Sequence, residues 1–198
     1  MAKKKEEKIE PTLDADGIVV HEYEHTVLVI VSPDGFGEQG VCFARSMLTN
    51  VRIASLVAST RYDEVLKGRL QEFFLADMTI DEVDPADYCG VLISAGEIEA
   101  LASNERVLQV VREIAAADKL VSSFGNGVEV LARAGVIKGR LVTGARSCEQ
   151  AVKKAGGKFT TKQVQESGNI VTGFDECSGI RFGRAMVDAI VRLHSKAS

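Results

Sequence analysis

The feature that most constrains this chain is a series of short apolar runs separated by segments with helical spacing. The run at 27–31 reads Val-Leu-Val-Ile-Val, which predicts a strand buried on both faces, because a half-exposed strand would alternate apolar and polar side chains. Further strands are predicted at 51–57, 90–94, 120–124 and 141–143. Since such strands need helices above and below them, the sequence predicts an α/β fold, a three-layer sandwich with a mostly parallel sheet.

The segments between these strands carry the spacing of amphipathic helices. The clearest lies at 104–117, where Val107, Val110, Val111 and Ile114 are three and four residues apart. Other helices are predicted at 37–48, 128–134, 148–155 and 178–194. Three further features are predicted between these elements: a turn at 67–69, a hairpin or edge strand at 70–75 and a hairpin through 166–169. Ligands are expected at the carboxyl ends of the parallel strands.

Composition and charge limit the organisation and the partners. Residues 1–25 are interpreted as a charged N-terminal extension with a possible extra strand at 18–23, and residues 26–198 as a single domain. The net charge is -4 and the basic residues are interspersed with acids, which argues against nucleic-acid binding. No apolar stretch is long enough to cross a membrane. The sequence therefore predicts a cytoplasmic protein that binds neither membrane nor nucleic acid, with reduced thiols.

The segment Gly35–Gly40 matches the glycine pattern of dinucleotide-binding loops, G-x-G-x-x-G. It follows a strand and opens a helix, and Arg61 after the second strand suits a 2′-phosphate, so NADP or flavin binding is one hypothesis. Against it, three residues separate the first strand from Gly35, and no acidic residue ends the second strand to hold a ribose. The alternative interpretation is a flexible loop between strand and helix.

A second pattern, H-E-x-x-H at 21–25, resembles a zinc-binding motif that requires both imidazoles on one face of a helix. The segment lies between apolar stretches typical of strands, so a solvated strand face is the favoured interpretation and no metal site is predicted. The third histidine, His194, lies near the end of the last helix, where it would interact with the helix dipole.

Four cysteines are present, and no two form a C-x-x-C pair. Ser147 and Gln150 form a capping-box pattern that places Cys148 in a first helical turn, where a thiol pKa is lowered. Cys148 is therefore the best candidate for a reactive cysteine, although a structural role is the favoured interpretation. Cys177 also precedes a helix, but neighbouring acids oppose formation of its thiolate. Cys42 and Cys89 are predicted to be buried packing residues.

Several strings resemble the DJ-one/ThiJ/PfpI superfamily, a branch of the class I glutamine-amidotransferase-like fold. The likeness covers residues 26–193 and rests on four strings, at 31–36, 78–83, 87–96 and 119–140. The resemblance implies a homo-oligomeric α/β protein. It also implies that active members carry a cysteine on a strained turn after a strand, with an acid from the first loop and often a histidine nearby.

These three family positions carry no reactive side chain in this sequence: Gly125 stands at the cysteine, Gly40 at the acid and Ala145 at the histidine. The resemblance therefore implies a degenerate pocket. The residues expected to form it are Gly40, Ala95, Gly96, Gly125, Asn126, Gly127, Ala145 and Arg146. Because nucleophilic catalysis requires a thiolate and a partner that sets its protonation, the usual mechanism is excluded at this turn.

Three hypotheses follow. The leading one is a non-catalytic protein, a small-ligand-binding or structural module that forms homodimers or higher homo-oligomers and uses no cofactor. The first alternative is a cysteine-dependent hydrolase of peptidase, deglycase or glyoxalase type that uses a relocated thiol, Cys148 or Cys177. The second alternative is NADP or flavin binding at Gly35–Gly40.

Overall fold

Strands and helices alternate along the chain in the computed structural model, which describes residues 12–13, 19–20, 25–61, 65–175 and 178–197. The strands are β1 (Thr12–Leu13), β2 (Val19–Val20), β3 (His25–Val31), β4 (Asp34–Phe36), β5 (Ile53–Ser59), β6 (Leu66–Gly68), β7 (Phe73–Phe74), β8 (Met78–Thr79), β9 (Gly90–Ser94), β10 (Leu120–Phe124), β11 (Leu141–Val142), β12 (Lys158–Phe159), β13 (Val164–Ser167) and β14 (Ile170–Gly173). The helices are α1 (Glu38–Thr49), α2 (Ile98–Ala102), α3 (Glu105–Ala116), α4 (Val128–Ala134), α5 (Glu149–Lys154) and α6 (Gly179–Ala197).

Seven strands form the main sheet, in the order β13-β14-β10-β9-β3-β5-β8. β13 runs antiparallel to β14, as a hairpin edge, and the other neighbouring pairs are parallel. The mostly parallel sheet predicted from the sequence is therefore confirmed. The strands β5 and β8 lie on one side of β3 in the sheet. The strands that follow them in the chain, β9, β10, β14 and β13, lie on its other side.

The central strand β3 shows why the sheet carries helices on both faces. The side chains of residues 27–31 alternate between two apolar cores and are fully buried. Leu28 and Ile30 pack in one core with residues of α2, α3, α4 and α5. Val27 and Val29 pack in the other with residues of α1 and α6. The unbroken apolar run of β3 is thus the sequence signature of a three-layer sandwich, as predicted.

The segment 66–74, called the arm, differs from the prediction. The turn expected at 67–69 is wrong in position, because residues 66–68 form β6. The hairpin or edge strand expected at 70–75 is present in part as β7, which pairs antiparallel with β6, and β6 also pairs in parallel with β4 in a separate three-stranded sheet. The Lys67 N–H donates to the carbonyl of Pro33, and the Gly68 N–H to that of Glu72. A sequence pattern that suggests a turn is here overridden by hydrogen bonds to a distant loop.

Smaller differences from the prediction concern β11, α2 and the N-terminal segment. The strand predicted at 141–143 is β11, which pairs with β12 outside the main sheet, and the short helix α2 was not predicted. In the N-terminal segment, β1 pairs antiparallel with β2, so part of the extra strand expected at 18–23 is present and its other residues lie outside the described ones. Among the described helices, none is long and apolar enough to cross a membrane.

Candidate functional site

A cavity of about 370 Å³ opens at the carboxyl ends of the neighbouring strands β14, β10 and β9. Phe174, Gly125 and Ala95, which each follow the last residue of one of these strands, lie in its wall. The full lining consists of Gly35, Gly37, Arg69, Ser94, Ala95, Phe124, Gly125, Asn126, Ala145, Arg146, Phe174 and Asp175. This is the edge at which parallel α/β sheets bind ligands.

The turn at 124–127, called the elbow, has a left-handed backbone conformation at Gly125 and carries no reactive side chain. Gly125 follows β10 with φ at +58° and begins a 3₁₀ turn that leads into α4. L-residues rarely adopt this left-handed conformation. A Cβ built on Gly125 meets no other atom within 4 Å. The backbone that would present a nucleophile is therefore in place, and the space above it is open.

Gly40, at which the family resemblance implies an acid, has no room for a side chain, because the Phe124 ring lies against it. A Cβ built on Gly40 would lie 2.5 Å from the ring of Phe124. Phe124 is 4% exposed, and its ring packs edge-on against Phe182 with centroids 5.6 Å apart. The aromatic side chain next to the elbow thus occupies the place where an acid from α1 would reach the nucleophile.

Two serines join the loops that follow β3 and β9. The Gly96 N–H donates to Ser32 Oγ at 2.8 Å, and the Gly37 N–H donates to Ser94 Oγ at 3.0 Å. Gly96 also presses on Gly35, since a Cβ on Gly96 would lie 2.0 Å from the Gly35 carbonyl carbon. The Gly96 N–H is therefore already used within the protein, and Gly96 lies behind the wall of the cavity rather than lining it, which corrects the expectation that it forms part of the pocket.

The arm carries a cationic side chain, Arg69, to the cavity. The Arg69 N–H donates to the Phe36 carbonyl at 3.0 Å. The next amide, that of Leu70, donates to the carboxylate of Glu38, which is fully buried in the first turn of α1. A Cβ on Gly68 would lie 2.3 Å from the Glu38 carboxyl carbon. Glu38 thus fixes the arm and, through it, the position of Arg69.

The same carboxylate bears on the dinucleotide hypothesis. Asp34–Phe36 forms β4 rather than a tight turn, and Phe36 is fully buried. The buried side chain of Glu38 occupies the first turn of α1, where a pyrophosphate would have to sit. The geometry of Gly35–Gly40 therefore opposes binding of NADP or flavin phosphates.

Cys148 lies beside the elbow but is not presented to the cavity. It is fully buried, and its Sγ is 3.8 Å from Asn126 Oδ1. Burial raises the pKa of this thiol, and the nearby Glu129 carboxylate also raises it, whereas Ser147 lowers it. The predicted capping box is wrong, because Cys148 itself is the residue before α5 and no side chain caps that helix. Cys177 lies outside the described residues.

The loop after β11 closes the other side of the elbow. The Ala145 N–H donates to the Gly125 carbonyl at 3.0 Å, and the exposed Arg146 begins a 3₁₀ turn. Of the eight residues expected in the pocket, five line the cavity: Ala95, Gly125, Asn126, Ala145 and Arg146. The other three, Gly40, Gly96 and Gly127, pack behind its wall against Phe124, Gly35 and Ile93.

The remaining candidates are dispersed. His25, the last residue of the H-E-x-x-H pattern, begins strand β3 rather than lying on a helix, and its ring stacks on His194 of α6 with centroids 4.0 Å apart. Residues 21–24 lie outside the described ones. Within the described ranges, no group of three or more potential metal-ligating side chains occurs. Cys42 is exposed rather than buried, whereas burial raises the pKa of Cys89 to about 11.

Comparison with known proteins agrees with this architecture. A 22% identical structure, the ThiJ/PfpI domain protein from Brachyspira murdochii, superposes with a TM-score of 0.81 over 86% of this chain and 99% of that one. An uncharacterized protein of Methanocaldococcus jannaschii is 29% identical over 83% of this chain and 82% of its own length. A deglycase of Thermococcus kodakarensis is 27% identical over 73% of this chain and 87% of its own length. The model of the DJ-1/PfpI family matches residues 25–189. The chain therefore belongs to the DJ-1/PfpI family.

Proposed function

We propose that this protein is a non-catalytic member of the DJ-1/PfpI family that binds a small molecule in the cavity above the elbow. The observation that carries the proposal is the pairing of an empty Gly125 with a filled acid position. Nucleophilic catalysis needs both a thiolate and a group that sets its protonation. Here the first position carries only hydrogen, and the Phe124 ring occupies the second.

The effect of a missing nucleophile on the reaction rate is large enough to favour absent rather than weak catalysis. Removal of a nucleophile costs a factor of about 10⁶ in rate in a serine hydrolase, which corresponds to roughly 8 kcal/mol of transition-state stabilisation. The cavity remains, however, and its volume of about 370 Å³ lies within the range of small-molecule sites. Binding without turnover is the function that these two facts support together.

The alternative is a hydrolase with a relocated thiol, and the deglycase name of the relative from Thermococcus kodakarensis favours it. Cys148 is the described candidate. Its complete burial and its raised pKa both oppose formation of a thiolate at neutral pH. Cys177 is the second candidate, and chemical labelling is the direct way to assess it.

The decisive experiment is a turnover assay of the purified protein with glyoxals, glycated thiols and peptides. The matched controls are the Cys148→Ala and Cys177→Ala variants, which remove each candidate thiol. We expect no turnover by the wild type. Turnover that disappears in one of the two variants would overturn the non-catalytic proposal and identify the relocated nucleophile.

We also infer that the chain forms homo-oligomers, the second part of the family expectation. Two apolar side chains support a contact on the α1 and α6 face: Phe43 is 43% exposed and Ile180 is 58% exposed. The Phe43 ring packs beside Gly179, the residue that precedes Ile180 in the chain. Light scattering on the wild type and on Ile180→Asp measures this directly, and a monomeric wild type would contradict it.

A further inference from the structure

We propose that the surface formed by β11, α5 and β12 binds the phosphate backbone of a nucleic acid. Residues 136–162, called the basic lobe, contain these three elements. The lobe is a second functional surface, and its binding is independent of the function proposed for the elbow cavity.

The charge of the basic lobe differs from that of the rest of the chain. The lobe contains seven lysines and arginines and one acid, a net charge of +6, whereas the whole chain has a net charge of -4. The overall balance that argues against nucleic-acid binding therefore conceals a concentrated positive segment. A clustered basic surface is the electrostatic feature that a nucleic-acid backbone requires. All seven basic residues are exposed: Lys138, Arg140, Arg146, Lys153, Lys154, Lys158 and Lys162.

Most of these cations have no acidic partner. The acid of the lobe, Glu149, accepts a hydrogen bond from Lys153 at 2.6 Å, and the charges of Lys153 and Arg146 lower its pKa. The side chains of the other five cations make no hydrogen bond or ion pair within the ranges that the structure describes. A polyanion can therefore bind them without displacing an internal carboxylate.

Four of the unpaired cations come together at the amino ends of β11 and β12. The Lys158 N–H donates to the Arg140 carbonyl at 2.8 Å. Lys138 Cγ lies 3.3 Å from the position that a Cβ on Gly156 would take. Lys154 ends α5 two residues before Gly156. These four residues, called the basic cluster, lie on one end of the lobe: Lys138, Arg140, Lys154 and Lys158.

Arg140 extends the basic cluster to the turn between β13 and β14. Its Nη1 and Nη2 atoms lie 2.6 Å and 3.7 Å from the position that a Cβ on Gly168 would take, so the guanidinium covers this turn. On the same hairpin, Glu166 is paired with Arg192 at 3.1 Å. The turn precedes β14, whereas the elbow cavity lies at the carboxyl end of that strand. The two sites are therefore at opposite edges of the sheet.

The side chains of the lobe favour a nucleic acid over a protein or a membrane. Among the described residues of the lobe, Leu141 is the only exposed large apolar one, and Phe159 is half-buried against the core. Protein interfaces centre on apolar and aromatic side chains, and membrane-surface segments insert them. Nucleic-acid interfaces are polar and positively charged. Because no ring of the lobe is exposed to stack on bases, the contacts are with phosphates and are independent of sequence.

The experiment is a fluorescence anisotropy titration of the full-length protein with a labelled single-stranded RNA and a labelled DNA duplex. If the basic cluster makes four phosphate contacts, the affinity should fall about 100-fold between about 50 and 200 mM salt. Two unrelated base sequences should bind equally. Absence of binding at low salt, or an affinity that does not change with salt, would overturn the proposal.

Charge-reversing variants then locate the binding surface. Lys154→Glu and Lys158→Glu should each weaken binding about tenfold and make the salt dependence less steep, because one phosphate contact is lost. Lys67→Glu, which changes an exposed lysine of the arm by the same charge, is the matched control and should change the affinity less than about twofold. Equal losses for the three variants would show a general effect of net charge and would overturn the role of the basic cluster.

Competition distinguishes a nucleic acid from other polyanions. Unlabelled RNA should displace the probe more effectively than polyglutamate at the same concentration of negative charge, and phosphatidylserine vesicles should not displace it. Equal or better displacement by polyglutamate would overturn the nucleic-acid assignment in favour of an acidic protein. Displacement by the vesicles would overturn it in favour of a membrane surface.

Discussion

Two positions at which the family resemblance implies reactive side chains, Gly125 and Gly40, differ in their surroundings. At Gly125 the backbone still adopts the left-handed conformation of the elbow, and the volume above it is open. At Gly40 the volume has been taken over by the ring of Phe124, which is now part of the core beneath α1 and α6. The space beside Gly125 is therefore free for a side chain, whereas the space beside Gly40 is filled by core packing. A side chain can therefore be restored at one position and not at the other.

The largest effect is expected from restoring an acid at position 40. The new side chain of Gly40→Glu would meet the Phe124 ring at its first carbon, and its carboxylate would lie in an apolar core. We expect a loss of about 3 kcal/mol in the free energy of unfolding, or a Tm lower by roughly 6–12 °C. Thermal denaturation followed by circular dichroism measures it.

The control for this substitution is the same change in a Phe124→Ala background. Phe124→Ala alone leaves a cavity and is itself destabilising, but it removes the obstacle to a side chain at position 40. The added cost of Gly40→Glu should be much smaller there, as expected for two residues in direct contact. An equal cost in both backgrounds would mean that the ring is not what excludes the acid.

A smaller effect is expected on thiol chemistry at the elbow. In a Gly125→Cys variant the introduced thiol faces open space, whereas Cys148 is buried with a raised pKa. At pH 7.5 we expect iodoacetamide to alkylate the introduced thiol about tenfold or more faster than Cys148. Peptide mass spectrometry separates the sites, and the exposed Cys42 is an internal reference.

The pH dependence gives the sign of the effect at Cys148. Because burial raises the pKa of this thiol, its thiolate fraction at neutral pH is lower than that of a free cysteine. Alkylation of Cys148 should therefore begin at a higher pH than alkylation of a free cysteine. Alkylation at pH 7.5 as fast as that of a free thiol would instead support the relocated nucleophile.

The smallest effect is expected from a methyl group at the elbow. Gly125→Ala adds an atom to open space, so its cost is only the left-handed backbone, about 1 kcal/mol. Gly135→Ala is the matched control, because Gly135 ends α4 with φ at +78° and is equally open. Urea denaturation should give similar losses for both. A loss above about 3 kcal/mol at Gly125 alone would show that the elbow is not vacant.

The parts of the fold that could be predicted are the strands and helices whose apolar residues follow a regular local spacing. The apolar run of β3 required two covering layers, and the position of Gly125 after a buried strand located the elbow. What could not be predicted depends on contacts between distant segments. Residues 67–69 were expected to form a turn, because nothing local in the sequence shows that Glu38 accepts a hydrogen bond from Leu70.

The candidate site divides in the same way. The open elbow was correctly located, since it depends on the order of strand, turn and helix. The orientation of the Phe124 ring toward Gly40 is determined by its packing against residues distant in the sequence, such as Phe182, so it could not be predicted from spacing along the chain. Cys148 shows the limit of a local pattern: its place before a helix made it the best candidate for a reactive thiol, but packing beside Asn126 determines its burial. This burial agrees with the structural role that was favoured for it.

The crossed hydrogen bonds of Ser32 and Ser94 have a consequence for recognition. They tie the loop after β3 to the loop after β9, and the Ser32 N–H adds a third bond to the Ser94 carbonyl. A molecule that enters the cavity meets a rim that is already assembled, so little backbone entropy is lost on association. The two serines thus hold the rim of the cavity in one arrangement before any ligand arrives.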